Sequence, residues 1–279
     1  MQTTLERNYK MMNATNTFNR KKTALITGAS GGIGYEFAKL FAREGYNLVL
    51  VARSRDKLTQ IADELKSKFG ISVKVIAKDL SIASAPEDIF NELQQDLIKI
   101  DVLVNNAGFA AYGEFAKTDL NAELQMMQVN MVCLTHLTKL FIPGMLKQGD
   151  GKILNIASTA AFQPGPLMAV YYATKAYVLS FSEAIANELQ DTGVTVTVLC
   201  PGPTESGFQQ RANMEESKLV SGQKIMDAET VAQIGYRGLM DNQTVVIPGL
   251  KNQLLTQSVR FMPRKMVTKI VRKMQEKVD

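Results

Sequence analysis

The chain has 279 residues, 46% hydrophobic and 21% charged, an ordinary globular composition long enough for one large or two small α/β domains. Its net charge of +5 sits at the ends: residues 1–22 carry five Lys/Arg against one Glu, and residues 251–279 eight against two acids. Taking these from the totals of 32 and 27 leaves a mildly acidic body of 19 basic and 24 acidic residues between 23 and 250. No basic patch interleaved with aromatics marks a nucleic-acid surface.

The first twenty residues are polar (Asn13, Thr15, Asn16, Thr17) and lack the apolar core of a signal peptide. They read as a disordered leader, with Met11 or Met12 as possible start points. The apolar run Thr23–Ile26 then predicts a strand, followed by the glycine turn Thr27–Gly34 and a helix reaching about Glu44. Residues 47–51 predict a buried parallel strand, 56–69 a helix, 73–77 a strand and 86–99 a helix. A strand over 102–104 precedes a long helix over 120–146. Strand 153–157, helix 170–189, strand 194–199, helix 230–240 and a short strand at 245–247 follow. This alternation predicts a single doubly wound α/β domain of Rossmann type over residues 21–250. Its sheet is seven-stranded and mostly parallel, with helices on both faces.

No run approaches the roughly 18–20 uncharged apolar residues of a membrane span. Cys133 and Cys200 fall in apolar patterns and read as buried thiols, which fits a reducing, cytoplasmic setting. His136 is the only histidine and lies in the long helix without partners for a metal, so no metal site is expected.

In a doubly wound sheet, ligands bind beyond the carboxyl ends of the strands. Polar residues interrupt the pattern at those ends: Arg53 after the second strand, Asp79-Leu80 after the third, Asn105–Gly108 after the fourth. Ser158 follows the fifth strand and Pro201–Thr204 the sixth. The turn Gly28-x-Ser30-x-Gly32-Ile33-Gly34 lets the backbone approach a pyrophosphate at a helix N-terminus. Tyr171 and Lys175 stand four residues apart on one helix face, close enough for the ammonium to favour phenolate and suit the tyrosine to acid/base work.

These motifs together resemble the short-chain dehydrogenases/reductases over roughly residues 22–250. The resemblance carries Thr27–Gly34, Asp79, Asn105–Gly108, Asn130, Ser158, Tyr171, Lys175 and Pro201-Gly202. It implies NAD(P)(H)-dependent hydride exchange with a carbonyl or secondary alcohol. Tyr171 would be the acid/base, Lys175 would hold the nicotinamide ribose, and Ser158 would polarise the carbonyl. Asn130 would position a water in the proton relay. Asp79 would receive the adenine amino group, and Thr204 would lie near the nicotinamide amide. Ser206 stands where the family usually has threonine.

The second strand ends in Ala52-Arg53 with no acid before Asp56, so a 2′-phosphate and hence NADP is expected. The expected small-molecule substrate is a hydrophobic ketone, a 3-oxoacyl-type compound or the corresponding alcohol. Phe109, Phe115, Phe162, Met168 and Phe208 could shape an apolar pocket, beside a segment 205–226 that carries Glu215 and Glu216. A nucleotide sensor on the same fold, or a membrane-surface reductase of lipid-derived carbonyls, are the rival readings.

The long helix and the helix 170–189 have apolar residues on more than one face (Met126, Met127, Met131, Leu134, Leu137; Val178, Phe181, Ile185), which predicts a homodimer or homotetramer. Residues 251–279 predict a basic amphipathic helical extension broken by Pro263. Its apolar stripe of Leu255, Val259, Met262, Met266, Ile270 and Met274 is expected to pack near the active-site mouth rather than on a membrane.

Overall fold

The computed structural model describes residues 20–207 and 225–276. The expectations for the leader, Phe208, Glu215 and Glu216 lie outside the described residues. Seven parallel strands form one sheet: β1 (Thr23–Thr27), β2 (Asn47–Ala52), β3 (Val73–Ala77), β4 (Val102–Asn105), β5 (Gly151–Ile156), β6 (Val194–Leu199) and β9 (Val245–Val246). Their order is β3-β2-β1-β4-β5-β6-β9, so the winding reverses between β1 and β4. A separate two-stranded pair, β7 (Thr204–Glu205) with β8 (Met226–Asp227), lies beyond β6.

Alternation along the strands builds two cores, because successive side chains point to opposite faces. Ala24, Ile26, Leu48 and Leu50 meet α1 (Gly32–Arg43), α2 (Arg55–Phe69) and α6 (Ala228–Met240) through Phe37, Phe41, Leu58 and Leu239. Leu25, Val49, Val51 and Leu103 meet α3 (Ala85–Gln95) and the long helix α4 (Leu120–Gln148) through Ile89, Leu93, Leu137 and Phe141. A third patch packs α5 (Ala169–Glu188) on β6 through Val178, Leu179 and Val198. Phe37 and Phe41 are fully buried, each stabilising the fold by about 1.5–3 kcal/mol.

By length and composition α4 could cross a bilayer. Here it is a core helix, with Met126, Val129, Cys133, Leu137 and Met145 buried. Its middle, Gln128–Cys133, opens into a π-helical turn that holds Asn130. Helix α3 stops at Gln95 rather than near Lys99, because Leu97 takes a left-handed conformation (φ 56°) and turns Ile98 and Ile100 into the core.

The C-terminal segment forms α7 (Leu250–Ser258), a 3-10 turn (Val259–Phe261) and α8 (Arg264–Gln275). The expected stripe is out of phase. Val267, Val271 and Gln275 face inward, whereas Leu255, Met266, Ile270 and Met274 are largely exposed. Val259 and Met262 do pack against a further core patch, the catalytic-side core, formed by Met126, Met168, Tyr171, Tyr172, Val267 and Val271 beyond the sheet's carboxyl edge. Likewise Met126, Leu134, Leu137 and Val178 are interior, and the exposed apolar face of α4 is Leu120, Leu124, Met127 and Val132.

Candidate active site

A cleft of about 1340 Å³ opens along the carboxyl ends of the strands, across the point where the winding reverses. One wall is the glycine turn. Gly28 and Gly32 have left-handed φ of 66° and 54°, which glycine alone adopts readily. The turn is sewn to the β4 end: Thr27 Oγ1 accepts from the backbone N–H of Asn106 and Ala107 at 3.0 Å each. Asn106 Nδ2 donates back to the carbonyl of Thr27 at 2.9 Å. A Cβ on Gly34 would sit 2.4 Å from Asn106 Nδ2 and from the Gly28 carbonyl oxygen. Gly34 therefore does not line the cleft; it lets α1 close against the turn.

Gly28, Ser30, Gly32 and Ile33 line the cleft beside Arg53, Asp79, Leu80 and Asn106. Asp79 accepts from the backbone N–H and hydroxyl of Ser81 at 2.9 and 2.8 Å, and these bonds, with the Arg53 charge, hold its carboxyl below the usual range. Helix α1 begins without a side-chain cap and without an acid in its first turn. An uncapped helix start, two left-handed glycines and a guanidinium fit the phosphates of a dinucleotide. Lys57, which the sequence pattern did not single out, lines the same end from α2.

At the other end stand Ser158, Tyr171, Lys175 and Thr204, all lining the cleft. Ser158 leaves β5 in an extended conformation; its Oγ accepts from the Ala160 N–H at 3.1 Å and shares a hydrogen bond with Tyr171. Tyr171 and Lys175 rise from the start of α5, with the ammonium 5.7 Å from the ring centroid. Lys175 donates to the Ile156 carbonyl at 2.8 Å and is 5% exposed, and burial pushes its pKa down to about 8. Burial also drives the Tyr171 hydroxyl well above its ordinary value, the Ser158 bond opposing it. The shift is opposite to the lowering expected from the lysine: withdrawal from water dominates, and the ammonium is turned to the Ile156 carbonyl. Thr204 donates to the Gly202 carbonyl at 3.0 Å.

Asn130 does not line the cleft. From the π-helical turn its Oδ1 accepts from the Phe109 N–H at 3.2 Å, and its Nδ2 donates to the Phe109 carbonyl at 3.0 Å and to Thr174 Oγ1 at 3.1 Å. It clamps the β4 loop against α5. A buried relay, Asn105 to Asn155 to Ser182, ties β4, β5 and α5 together behind it. His136 lies away from the cleft, 3.6 Å from Glu87.

Phe109 and Met168 line the cleft as expected, whereas Phe115 is exposed and Phe162 packs near α5. The C-terminal stripe was expected near the active-site mouth; the residue of that segment that the sequence pattern did not single out is Gln275. Leu255, Met274 and Gln275 line the cleft, and Gln275 hydrogen-bonds to Tyr172 Oη. Tyr112 Oη donates to the Gln275 carbonyl at 2.6 Å, fixing the end of α8 beside Tyr172. The only sequence-level signal was that Gln275 falls in phase with Val267 and Val271.

A family profile for short chain dehydrogenase matches residues 22–217. An uncharacterised oxidoreductase of Staphylococcus epidermidis is 34% identical over 231 residues, 82% of this chain and 98% of that protein. The human very-long-chain 3-oxoacyl-CoA reductase is 37% identical over 184 residues, which span 64% of this chain and 58% of that one. A short-chain dehydrogenase from Sphingobium yanoikuyae, solved with NADPH, superposes with a TM-score of 0.78 at 32% identity, covering 86% and 94% of the two chains. The chain belongs to the short-chain dehydrogenase/reductase family and is an oxidoreductase.

Proposed function

We propose that this enzyme reduces hydrophobic ketones or 3-oxoacyl compounds with NADPH, Tyr171 donating the proton. The observation that carries the reading is the single cleft that holds the glycine turn and Arg53 at one end and Ser158, Tyr171 and Lys175 at the other. When bound, the nicotinamide cofactor supplies the hydride. The chain's own residues do the rest. Burial keeps Tyr171 a neutral phenol across the physiological range, which suits a proton donor. Ser158, hydrogen-bonded to that phenol, is placed to donate to the same carbonyl oxygen. Lys175 stays largely protonated below pH 8 and contributes positive charge where negative charge develops on that oxygen. Asn130 positions the loop beneath.

The NADP preference rests on Arg53, with Lys57 adding a second cation, and on the absence of an acid where β2 ends. The NADPH in the Sphingobium relative supports it. An apolar substrate suits the wall formed by Phe109, Met168, Tyr172, Leu255 and Met274, and the named activity of the human relative points the same way. The protein acts as a two-fold oligomer through the exposed face Leu120, Leu124, Met127 and Val132, next to Tyr177. Fluorescence titration with both cofactors, followed by turnover on ketones of increasing chain length, tests the reading. Tighter NADPH binding and rising kcat/KM with chain length are expected; preference for NADH or for small polar carbonyls contradicts it.

A further inference from the structure

The C-terminal segment presents a second face away from the protein. Leu250, Leu254 and Phe261 follow one another along one side of α7 and the turn after it, and are 76%, 72% and 87% exposed. On α8, Met266 and Ile270 stand four residues apart and are 52% and 39% exposed. Seven cations stand in the described part of this segment, every one exposed, against a single acid, Glu276. Among the described residues only Arg272 of these cations forms ion pairs, with Glu114 at 3.9 Å and Glu276 at 3.8 Å. The segment is held in place rather than dangling, because Val267, Val271 and Gln275 are buried against the catalytic-side core.

From this we infer that the C-terminal segment is a docking surface for an anionic lipid bilayer. Exposed Leu, Phe and Met side chains among lysines and arginines match the interfacial region of such a membrane, apolar side chains entering the acyl boundary and cations meeting phosphates. Charge selects the membrane over a two-fold contact of this face with itself, which would oppose two strongly positive surfaces. The surface borders the cleft, since Leu255 and Met274 of the same segment line it. Docking therefore turns the cleft mouth toward the bilayer, from which apolar carbonyl compounds can enter. That last step alone rests on the activity proposed above; the docking does not.

Co-sedimentation of the intact protein with vesicles reads the docking without any activity. The protein pellets with vesicles of phosphatidylcholine and phosphatidylglycerol, not with phosphatidylcholine alone, and is released at about 0.5 M salt. Lys265→Gln with Lys269→Gln lowers the partition coefficient about 30-fold, roughly fivefold per cation. Leu254→Glu with Phe261→Glu lowers it at least about tenfold. Leu97→Glu, at an 88% exposed apolar position before β4 and away from the cleft, leaves it unchanged. Absence of pelleting, equal pelleting with neutral vesicles, or pelleting untouched by either double variant overturns the inference. So does a fall in oligomer mass caused by the Leu254/Phe261 variant, which would make the face a contact between copies. For the delivery step, that variant should slow turnover of a bilayer-dissolved ketone and spare a water-soluble one; equal turnover of both overturns it.

Discussion

Gly34→Ala should destabilise the fold although Gly34 touches no ligand surface. The added methyl would stand 2.4 Å from Asn106 Nδ2 and 2.4 Å from the Gly28 carbonyl oxygen, against the 3.4 Å or more of ordinary contact. Neither neighbour can withdraw freely. Asn106 Nδ2 is bound to the carbonyls of Thr27 at 2.9 Å and Gly28 at 3.3 Å, and Gly28 is backbone. Overpacking of this kind costs about 1–3 kcal/mol, and weakening two hydrogen bonds about 0.5–1.5 kcal/mol each. Alanine's better helix propensity returns about 1 kcal/mol. The net loss is about 1–5 kcal/mol, or roughly 2–20 °C in Tm for a domain this size. Gly31→Ala is the control: its backbone is extended (φ 170°) and the nearest atom to a new Cβ is Lys57 Nζ at 3.9 Å. It should change stability by no more than about 0.5 kcal/mol. Calorimetry of both variants in cofactor-free buffer decides. A Gly34→Ala protein that melts with the parent, or a Gly31→Ala protein that falls as far, would refute the close-approach account of the turn.

Arg53→Asp should weaken NADPH binding by about tenfold to a hundredfold, the loss of a charge-assisted phosphate contact worth about 1.5–3 kcal/mol, while improving NADH; unchanged titrations of both would contradict the assignment. Lys175 gives a pH signature. Its folded value of about 8 lies below the ordinary 10.5, so below pH 8 the ammonium is charged in both states and burial opposes folding by about 3 kcal/mol. Between those values the unfolded chain binds more protons, and stability rises with pH. Lys175→Met removes the rise, so urea denaturation from pH 7 to 10 should move the difference between the two proteins toward the parent. Parallel curves would show that Lys175 is not desolvated. If the proposed oligomer forms through α4, Leu124→Glu should give monomers by light scattering; a monomeric parent protein would refute the proposed face.

The sheet and its winding were legible because buried parallel strands leave unmistakable apolar runs, as at Leu48–Val51 and Val102–Val104. Much of the cleft lining was legible because Arg53, Asp79, Asn106, Ser158 and Thr204 follow strand ends, and Tyr171 and Lys175 open the helix after β5. Where local sequence is silent, the reading slipped. Leu97 ends α3 in a left-handed conformation without the glycine that usually announces one. The π-helical turn at Asn130 has no periodicity of its own, so the clamp on Phe109 was invisible. In α8 two rows lie side by side, and only packing shows that Val267, Val271 and Gln275 turn inward while Met266 and Ile270 do not. The lowered tyrosine pKa failed for a similar reason: helix spacing brings Lys175 near Tyr171, but burial of both is a tertiary fact.

Tyr171→Phe tests the central claim most directly. It keeps the ring that packs edge-on against Tyr172 at 6.1 Å and removes only the hydroxyl. NADPH affinity, measured by fluorescence titration, should stay within about twofold of the parent, while kcat at saturating ketone should fall by about 10²–10⁴, the usual contribution of a positioned proton donor. A variant that binds NADPH and keeps most of its kcat would show that the proton comes from elsewhere and that Tyr171 is not the acid.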